Sequence, residues 1–203
     1  MNRRIFIVTL PIVATALLPD RRAAAGAQDV EYLQALERAQ RDRPRVLTAT
    51  GRIASAGEPG TPLVIHGRLF RADGTTPARD MIVFAYHTDA TGLYDRPSAG
   101  AHSWRLRGWV KTDAEGAFEF TTIRPAPYPN RRVAAHVHLT IEGAGVPRRS
   151  AGLLFEGDPL LTDAERKESA EAGRFGMVRP VEKRDGVEHV SLQIRLEESN
   201  LRR

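Results

Sequence analysis

The sequence of 203 residues contains no cysteine. This absence excludes disulfides, thiolate metal sites, iron–sulfur clusters and cysteine nucleophiles. Any metal site of this chain must therefore be built without thiolate ligands.

The chain also lacks a long uninterrupted hydrophobic stretch. Its apolar N-terminal run, Ile5 to Leu18, is too short and too broken by proline to predict a membrane-spanning helix. Arg3-Arg4 precedes this run and Ala25-Gly26-Ala27 follows it, a pattern that predicts an export signal over residues 1–27, with an anchor helix as the alternative. The paired arginines fit both a twin-arginine signal and ordinary secretion. We expect a bacterial protein exported to the periplasm or the extracellular space, with no stable membrane insertion after cleavage.

No strong excess of one charge remains once the leader is set aside. Removing residues 1–27 takes away four arginines and one aspartate, which leaves 26 basic and 24 acidic residues and lowers the formal net charge from +5 to +2. The arginine pairs are scattered and form no basic stripe, so the sequence predicts no nucleic-acid binding. The remaining length suffices for one domain with its own core.

Short strand-like segments dominate the chain after residue 61. They are Leu63–Phe70, Met81–His87, Trp104–Lys111, Ala117–Ile123, Val133–Ile141, Ala151–Phe155 and Val187–Leu196. Their apolar alternation and their Gly- and Pro-containing turns predict an all-β fold, an antiparallel β-sandwich.

Two helices accompany the predicted strands. Apolar residues at helical spacing predict a short N-terminal helix over Asp29–Gln40. Thr162 and Glu165 have capping-box spacing and Gly173 is a suitable stop, so a polar surface helix is expected between them. We therefore divide the chain into a leader (1–27), an N-terminal helix and linker (28–60) and a β-sandwich domain (61–203).

His136 and His138 lie two residues apart on a predicted strand, so their side chains point to the same face. The opposite parity of that strand, including Val137 and Leu139, is apolar and suits a core. Two neighbouring imidazoles make a metal site plausible, although such a pair is also found on the solvated face of a sandwich. Of the other histidines, His66, His87 and His189 are interpreted as structural. His102 lies in the loop after Tyr94, and a position facing a substrate is the alternative for it.

Tyr94 and Tyr128 are the second pair of candidate ligands. Tyr94 follows Gly92-Leu93, and Tyr128 lies between two prolines that restrict its backbone. Phenolates bind hard, highly charged metal ions, and two phenolates with two neutral imidazoles suit Fe(III). Simple turn chemistry, with the tyrosine rings on the surface, is the alternative at both positions.

An ordered series of motifs, which covers about half of the chain, includes these four residues. The series is Gly67-Arg68-Leu69-Phe70-Arg71-Ala72-Asp73-Gly74, Gly92-Leu93-Tyr94, Leu106-Arg107-Gly108, Thr112-Asp113 with Gly116 and Phe118, Arg124-Pro125 with Pro127-Tyr128-Pro129, Ala135-His136-Val137-His138, and Phe155-Glu156-Gly157-Asp158-Pro159. In these motifs the chain resembles the intradiol ring-cleavage dioxygenases, non-haem Fe(III) enzymes of the catechol and protocatechuate dioxygenase type.

The resemblance implies an iron site, a reaction and the same β-sandwich core. Tyr94 and His136 would be equatorial ligands, and Tyr128 and His138 axial ligands, with Tyr128 also acting as an internal base. The substrates would be a small aromatic diol and O2, and the ring would open between its two hydroxylated carbons to a muconate-type dicarboxylate. The sequence does not determine the oligomeric state, and a homodimer is one alternative.

The chain departs from the family pattern next to the proposed ligands. Val133 stands where the family has an arginine, and Gly152 stands where it has a glutamine. We expect Arg132 or Arg131 to replace the missing cation in part, and Arg132 is the candidate catalytic arginine. Two other functions compete with ring cleavage: an exported, non-catalytic prealbumin-like binding module, and an iron oxygenase with a different aromatic substrate.

Overall fold

The computed structural model describes residue 37, residues 41–94 and residues 105–197. The predicted leader, almost all of the predicted helix Asp29–Gln40, and His102 lie outside the described residues. No helix within the described part of the chain has the length and apolar character needed to cross a membrane.

Ten strands and one α-helix make up the described secondary structure. The strands are β1 (Thr50–Arg52), β2 (Pro62–Phe70), β3 (Ile82–His87), β4 (Arg107–Lys111), β5 (Ala117–Ile123), β6 (His136–Gly143), β7 (Val146–Phe155), β8 (Val178–Arg179), β9 (Val181–Arg184) and β10 (Val187–Arg195). The helix, α1 (Asp163–Ala172), lies between β7 and β8, and a short 3₁₀ turn follows it. Thr162 and Glu165 form the predicted capping box and Gly173 caps the C-terminus.

Two five-stranded sheets carry the fold. The first sheet has the order β1-β5-β2-β10-β9 and the second the order β4-β3-β6-β7-β8. The prediction of a purely antiparallel sandwich is wrong, because β1 and β5, β2 and β10, and β7 and β8 pair in parallel. More than a hundred residues separate β2 from β10, and a connection of that length permits either direction.

The core consists of alternate residues of both sheets. Val137, Leu139 and Ile141 of β6 are buried, as the sequence alternation predicts. Val190, Leu192 and Ile194 of β10 are buried in the same way. The opposite parity of β6 therefore carries His136 and His138 on the outer face of the second sheet.

The start of the predicted strand Val133–Ile141 is wrong, because β6 begins at His136. Ala134 and Ala135 are both buried, which breaks the alternation of a strand. The backbone N–H of Ala135 donates to the carboxylate of Asp158 and not to a neighbouring strand. Residues 131–133 are exposed and precede the sheet.

Candidate metal centre

The four candidate ligands lie together on the outer face of the second sheet. Nε2 of His136 and Nε2 of His138 are 2.9 Å apart. The hydroxyl oxygen of Tyr128 lies 3.1 Å from Nε2 of His136 and 3.4 Å from Nε2 of His138. The hydroxyl oxygen of Tyr94 lies 2.9 Å from Nε2 of His138 and 2.5 Å from the hydroxyl of Tyr128.

These distances fit donors around one metal ion. Nitrogen and oxygen ligands lie about 2.0–2.2 Å from a metal such as zinc, so neighbouring donors around one ion are roughly 2.8–3.5 Å apart. Four of the five donor-to-donor distances fall in this range. Two phenol oxygens and two imidazole nitrogens would give a charge-rich, sulfur-free set suited to a hard trivalent ion.

No other metal centre competes with this one in residues 41–94 and 105–197. Nowhere in that part of the chain do three or more His, Asp or Glu side chains group so as to hold a metal ion. The candidate centre contains two histidines and no carboxylate, so its two tyrosines are essential to it.

The loop that carries Tyr94 is organised by Asp89. The carboxylate of Asp89 accepts hydrogen bonds from the backbone N–H groups of Thr91 and Leu93, at 2.8 and 3.1 Å. The backbone carbonyl of Asp89 accepts from the N–H of Ala126, which lies two residues before Tyr128. One residue thus connects the two loops that present the phenol groups.

His138 is held by the ring of Tyr86. The two rings stack with centroids 4.5 Å apart and planes within 10° of parallel. Burial of His138, followed by repulsion from His136 and His87, lowers its pKa to about 3. The imidazole of His138 is therefore neutral near pH 7, and the neutral form is the one in which an imidazole can coordinate a metal ion.

His136 is oriented by its own chain. Nδ1 of His136 lies 2.8 Å from the carbonyl oxygen of Ala134, and a carbonyl only accepts hydrogen bonds. Nδ1 therefore carries the hydrogen, and the lone pair of Nε2 faces Tyr128 and His138. This arrangement is the tautomer that a metal ligand needs.

An open cleft of about 380 Å³ borders the two tyrosines. It is lined by Gly92, Leu93, Tyr94, Tyr128, Pro129, Asn130 and Arg131. Leu93 is 40% exposed and supplies an apolar wall, and Arg131 supplies a positive charge. The predicted catalytic Arg132 is exposed and is absent from this lining. Its role stays a prediction.

The remaining described histidines are not among the four donors. His87 is buried, where Nδ1 donates to the carbonyl of Thr88 and Nε2 contacts the hydroxyl of Thr122, both at 2.6 Å. His66 and His189 lie on the first sheet with ring nitrogens 3.2 Å apart. His66 lines a second groove, of about 370 Å³, on that sheet, but no tyrosine of the candidate centre lines it. We interpret all three histidines as structural.

Sequence reasoning did not identify Asp89, Tyr86 or Asp158 as residues that position the site. Asp158 belongs to the last of the family-like motifs, and Asp89 precedes Gly92 at a spacing typical of a side-chain-capped turn. Nothing in the local sequence shows that Tyr86 lies against His138, because that contact joins two paired strands.

Comparison with known proteins identifies the class to which this fold and site belong. A dioxygenase family model, Dioxygenase_C, matches residues 37–197. The chain belongs to the intradiol ring-cleavage dioxygenase family.

Two curated relatives illustrate the similarity in sequence. Catechol 1,2-dioxygenase 1 of Acinetobacter lwoffii is 31% identical over 147 residues, which cover 64% of this chain and 46% of that protein. The protocatechuate 3,4-dioxygenase beta chain of Burkholderia cepacia is 34% identical over 117 residues, which cover 52% of this chain and 49% of that one. The chain therefore spans about half the length of these curated relatives.

Solved structures show the same fold. A 3-chlorocatechol 1,2-dioxygenase from Rhodococcus opacus matches with a TM-score of 0.58 at 21% identity, over 73% of this chain and 65% of that one. The dioxygenase domain of a carbohydrate-binding fusion protein from Streptomyces sp. SirexAA-E matches with a TM-score of 0.57 at 22% identity, over 73% of this chain and 87% of that one.

Proposed function

We propose that this protein is an Fe(III)-dependent intradiol dioxygenase that opens a catechol-type ring between its two hydroxylated carbons. Both atoms of O2 would enter the product, a muconate-type dicarboxylate. The observation that carries the proposal is the convergence of Tyr94, Tyr128, His136 and His138, whose donor atoms lie 2.5–3.4 Å apart.

Different residues would bind the metal ion, accept a proton and contact the substrate. The two phenol oxygens and the two Nε2 atoms would hold the ion, which when bound supplies Lewis acidity towards the diol. The hydroxyl oxygen of Tyr128 borders the cleft and would accept a proton from one substrate hydroxyl. Leu93 would contact the ring, and Arg131 would stabilise its negative charge.

Tyr128→Phe tests the ligand assignment. Phenolate bound to Fe(III) absorbs visible light, so the iron-loaded wild-type protein should be coloured. Tyr128→Phe should shift or bleach the visible band and abolish oxygen uptake. Tyr86→Phe is the matched control, because Tyr86 contributes a stacking ring and is not one of the four donors. It should keep the band.

Oxygen uptake and product analysis with a panel of catechols would test the reaction. Cleavage between the two hydroxylated carbons supports the proposal. An iron-loaded, coloured protein that consumes oxygen but cleaves the ring at another position would favour a different iron oxygenase. The observation that favours this alternative is Gly152, which pairs with His138 in the strand register. Colourless protein without iron after expression in iron-replete cells would favour a binding module.

We also propose that the protein acts outside the cytoplasm. The basic start, apolar run and small-residue site of residues 1–27 support export. Fractionation of cells that express the full chain tests it, and Arg3→Lys with Arg4→Lys distinguishes the twin-arginine route, which should be blocked, from ordinary secretion, which should persist.

A further inference from the structure

Asp158 is a buried carboxylate outside the four donor residues. It follows β7, is 8% exposed, and uses both of its oxygens to accept backbone hydrogen bonds. Oδ2 accepts from the N–H of Ala135 at 3.0 Å, and Oδ1 accepts from the N–H of Leu160 at 2.9 Å.

The hydrogen bond to Ala135 engages a peptide group that also contacts His136. The N–H of Ala135 and the carbonyl of Ala134 belong to one peptide unit. That carbonyl accepts the hydrogen bond from Nδ1 of His136 at 2.8 Å. Asp158, this peptide and the imidazole therefore form one continuous chain of hydrogen bonds. Ala134 and Ala135 are 1% and 2% exposed, so water has little access to weaken it.

We propose that Asp158 is a positioning residue that tunes His136 as a metal ligand through this single peptide group; the inference rests on the proposed function. A carboxylate at the N–H end polarises the peptide and makes its carbonyl a stronger acceptor. The stronger acceptor holds the hydrogen on Nδ1 and increases electron donation from Nε2. In other metal sites a carboxylate or carbonyl accepts a hydrogen bond directly from the ligand histidine. Here the carboxylate of Asp158 acts on the histidine through the peptide group between Ala134 and Ala135.

Asp158→Asn tests the proposal because it removes the charge and keeps the shape. Outer partners of ligand histidines typically contribute 10- to 100-fold to metal affinity, and we expect about tenfold weaker Fe(III) binding in competition with a chelator. A weaker imidazole donor leaves the ferric ion more electron-poor, so the visible phenolate band should move to longer wavelength.

Asp113→Asn is the matched control. The carboxylate of Asp113 also accepts two backbone hydrogen bonds, from Glu115 and Ala117 at 3.0 and 2.7 Å, in the hairpin between β4 and β5. This variant should lose stability without a change in the iron affinity or in the band. If Asp158→Asn behaves like Asp113→Asn in both measurements, Asp158 is only structural and the proposal is wrong.

A measurement on the unaltered, iron-free chain does not depend on the folding of a variant. The ¹⁵N chemical shifts of His136 should show the hydrogen on Nδ1. A predominant Nε2–H form overturns the inference. Failure of the wild-type protein to bind Fe(III) overturns the proposed function instead, and the two failures are thereby distinguished.

Discussion

Gly92 lies against the carbonyl group of Pro127, so that a Cβ atom at Gly92 would be 2.2 Å from that oxygen. Gly92 also has a φ of +83°, a conformation that side chains disfavour. Tyr94 lies two residues after this glycine and Tyr128 directly follows the proline. The absence of a side chain at Gly92 therefore lets the two loops approach until their phenol oxygens are within hydrogen-bonding distance.

We predict that Gly92→Ala separates the two tyrosines. The positive φ alone should cost about 1–2 kcal/mol, and the contact with Pro127 should force the loops apart. The Gly92→Ala variant should bind Fe(III) at least about tenfold more weakly than the wild type does. Chelator competition and the loss of the visible band measure this difference.

Gly145→Ala separates the effect of the clash from that of the backbone strain. Gly145 has a φ of +75°, and, apart from its own atoms and those of its two chain neighbours, no atom of the described residues lies within 4 Å of the position that a Cβ atom would take there. This control should lower the free energy of unfolding by the strain alone and leave iron binding unchanged. Equal iron affinities in the two variants would contradict the role given to Gly92.

The sequence predicted which four side chains lie together better than it predicted the arrangement of strands. The parity of His136 and His138 and the loop positions of Tyr94 and Tyr128 are local features, and the structure brings all four residues together. Alternation within β10 predicts which residues are buried, but it contains no information about the strand that lies beside it or its direction. The parallel pairing of β10 with β2 was therefore not predictable.

The contacts that support the four candidate ligands could not be predicted from the sequence either. Tyr86 reaches His138 because β3 and β6 pair in one register, and Asp158 reaches Ala135 across 23 positions of the chain. Both are consequences of the tertiary fold. The capping box of α1 was predictable, because its two partners are three residues apart.

Thr162→Ala should destabilise the protein without affecting the candidate metal centre. The hydroxyl of Thr162 accepts the backbone N–H of Glu165 at 3.2 Å, and loss of such a cap costs about 1 kcal/mol. No residue of α1 is buried, so little packing compensates. Urea unfolding measures the loss. Thr162→Ser keeps the hydroxyl and should behave like the wild type, and a similar loss in the serine variant would contradict the capping role.

Arg131→Ala should lower kcat/KM about tenfold, since loss of about 1.4 kcal/mol of stabilisation of the transition state has that effect. Among the described residues that line the cleft, Arg131 is the one with a charged side chain. Arg131→Lys should retain much of the activity. Oxygen uptake measured at two ionic strengths checks this prediction, because salt should screen the charge of Arg131 and lower kcat/KM in the wild type.

Arg132→Ala is the matched comparison, one residue away in the same exposed segment. We expect a change of less than about twofold, because weak, exposed charge contacts contribute little. A loss confined to Arg132→Ala would support the assignment of Arg132 made from the sequence. No loss in either variant would show that neither arginine acts on the substrate.

Acid should destabilise the iron-free protein through His87. Burial lowers the pKa of His87 to about 4, below the ordinary value of 6.5. Between these two pH values, His87 is therefore protonated in the unfolded chain but not in the folded chain. The contribution of His87 to stability is complete above about pH 6.5 and is lost as the pH falls from there towards about 4, by about 1.4 kcal/mol per pH unit.

His87→Gln isolates this contribution. The variant should be less stable than the wild type at pH 7.5, because it loses well-packed hydrogen bonds to Thr88 and Thr122. Its free energy of unfolding should fall less steeply between about pH 6.5 and pH 4. Titratable groups distant from His87 behave alike in both proteins and cancel in the difference, whereas His138, whose pKa is lowered in part by repulsion from His87, cancels only in part. Parallel curves from denaturant unfolding at each pH would show that His87 does not carry the acid sensitivity.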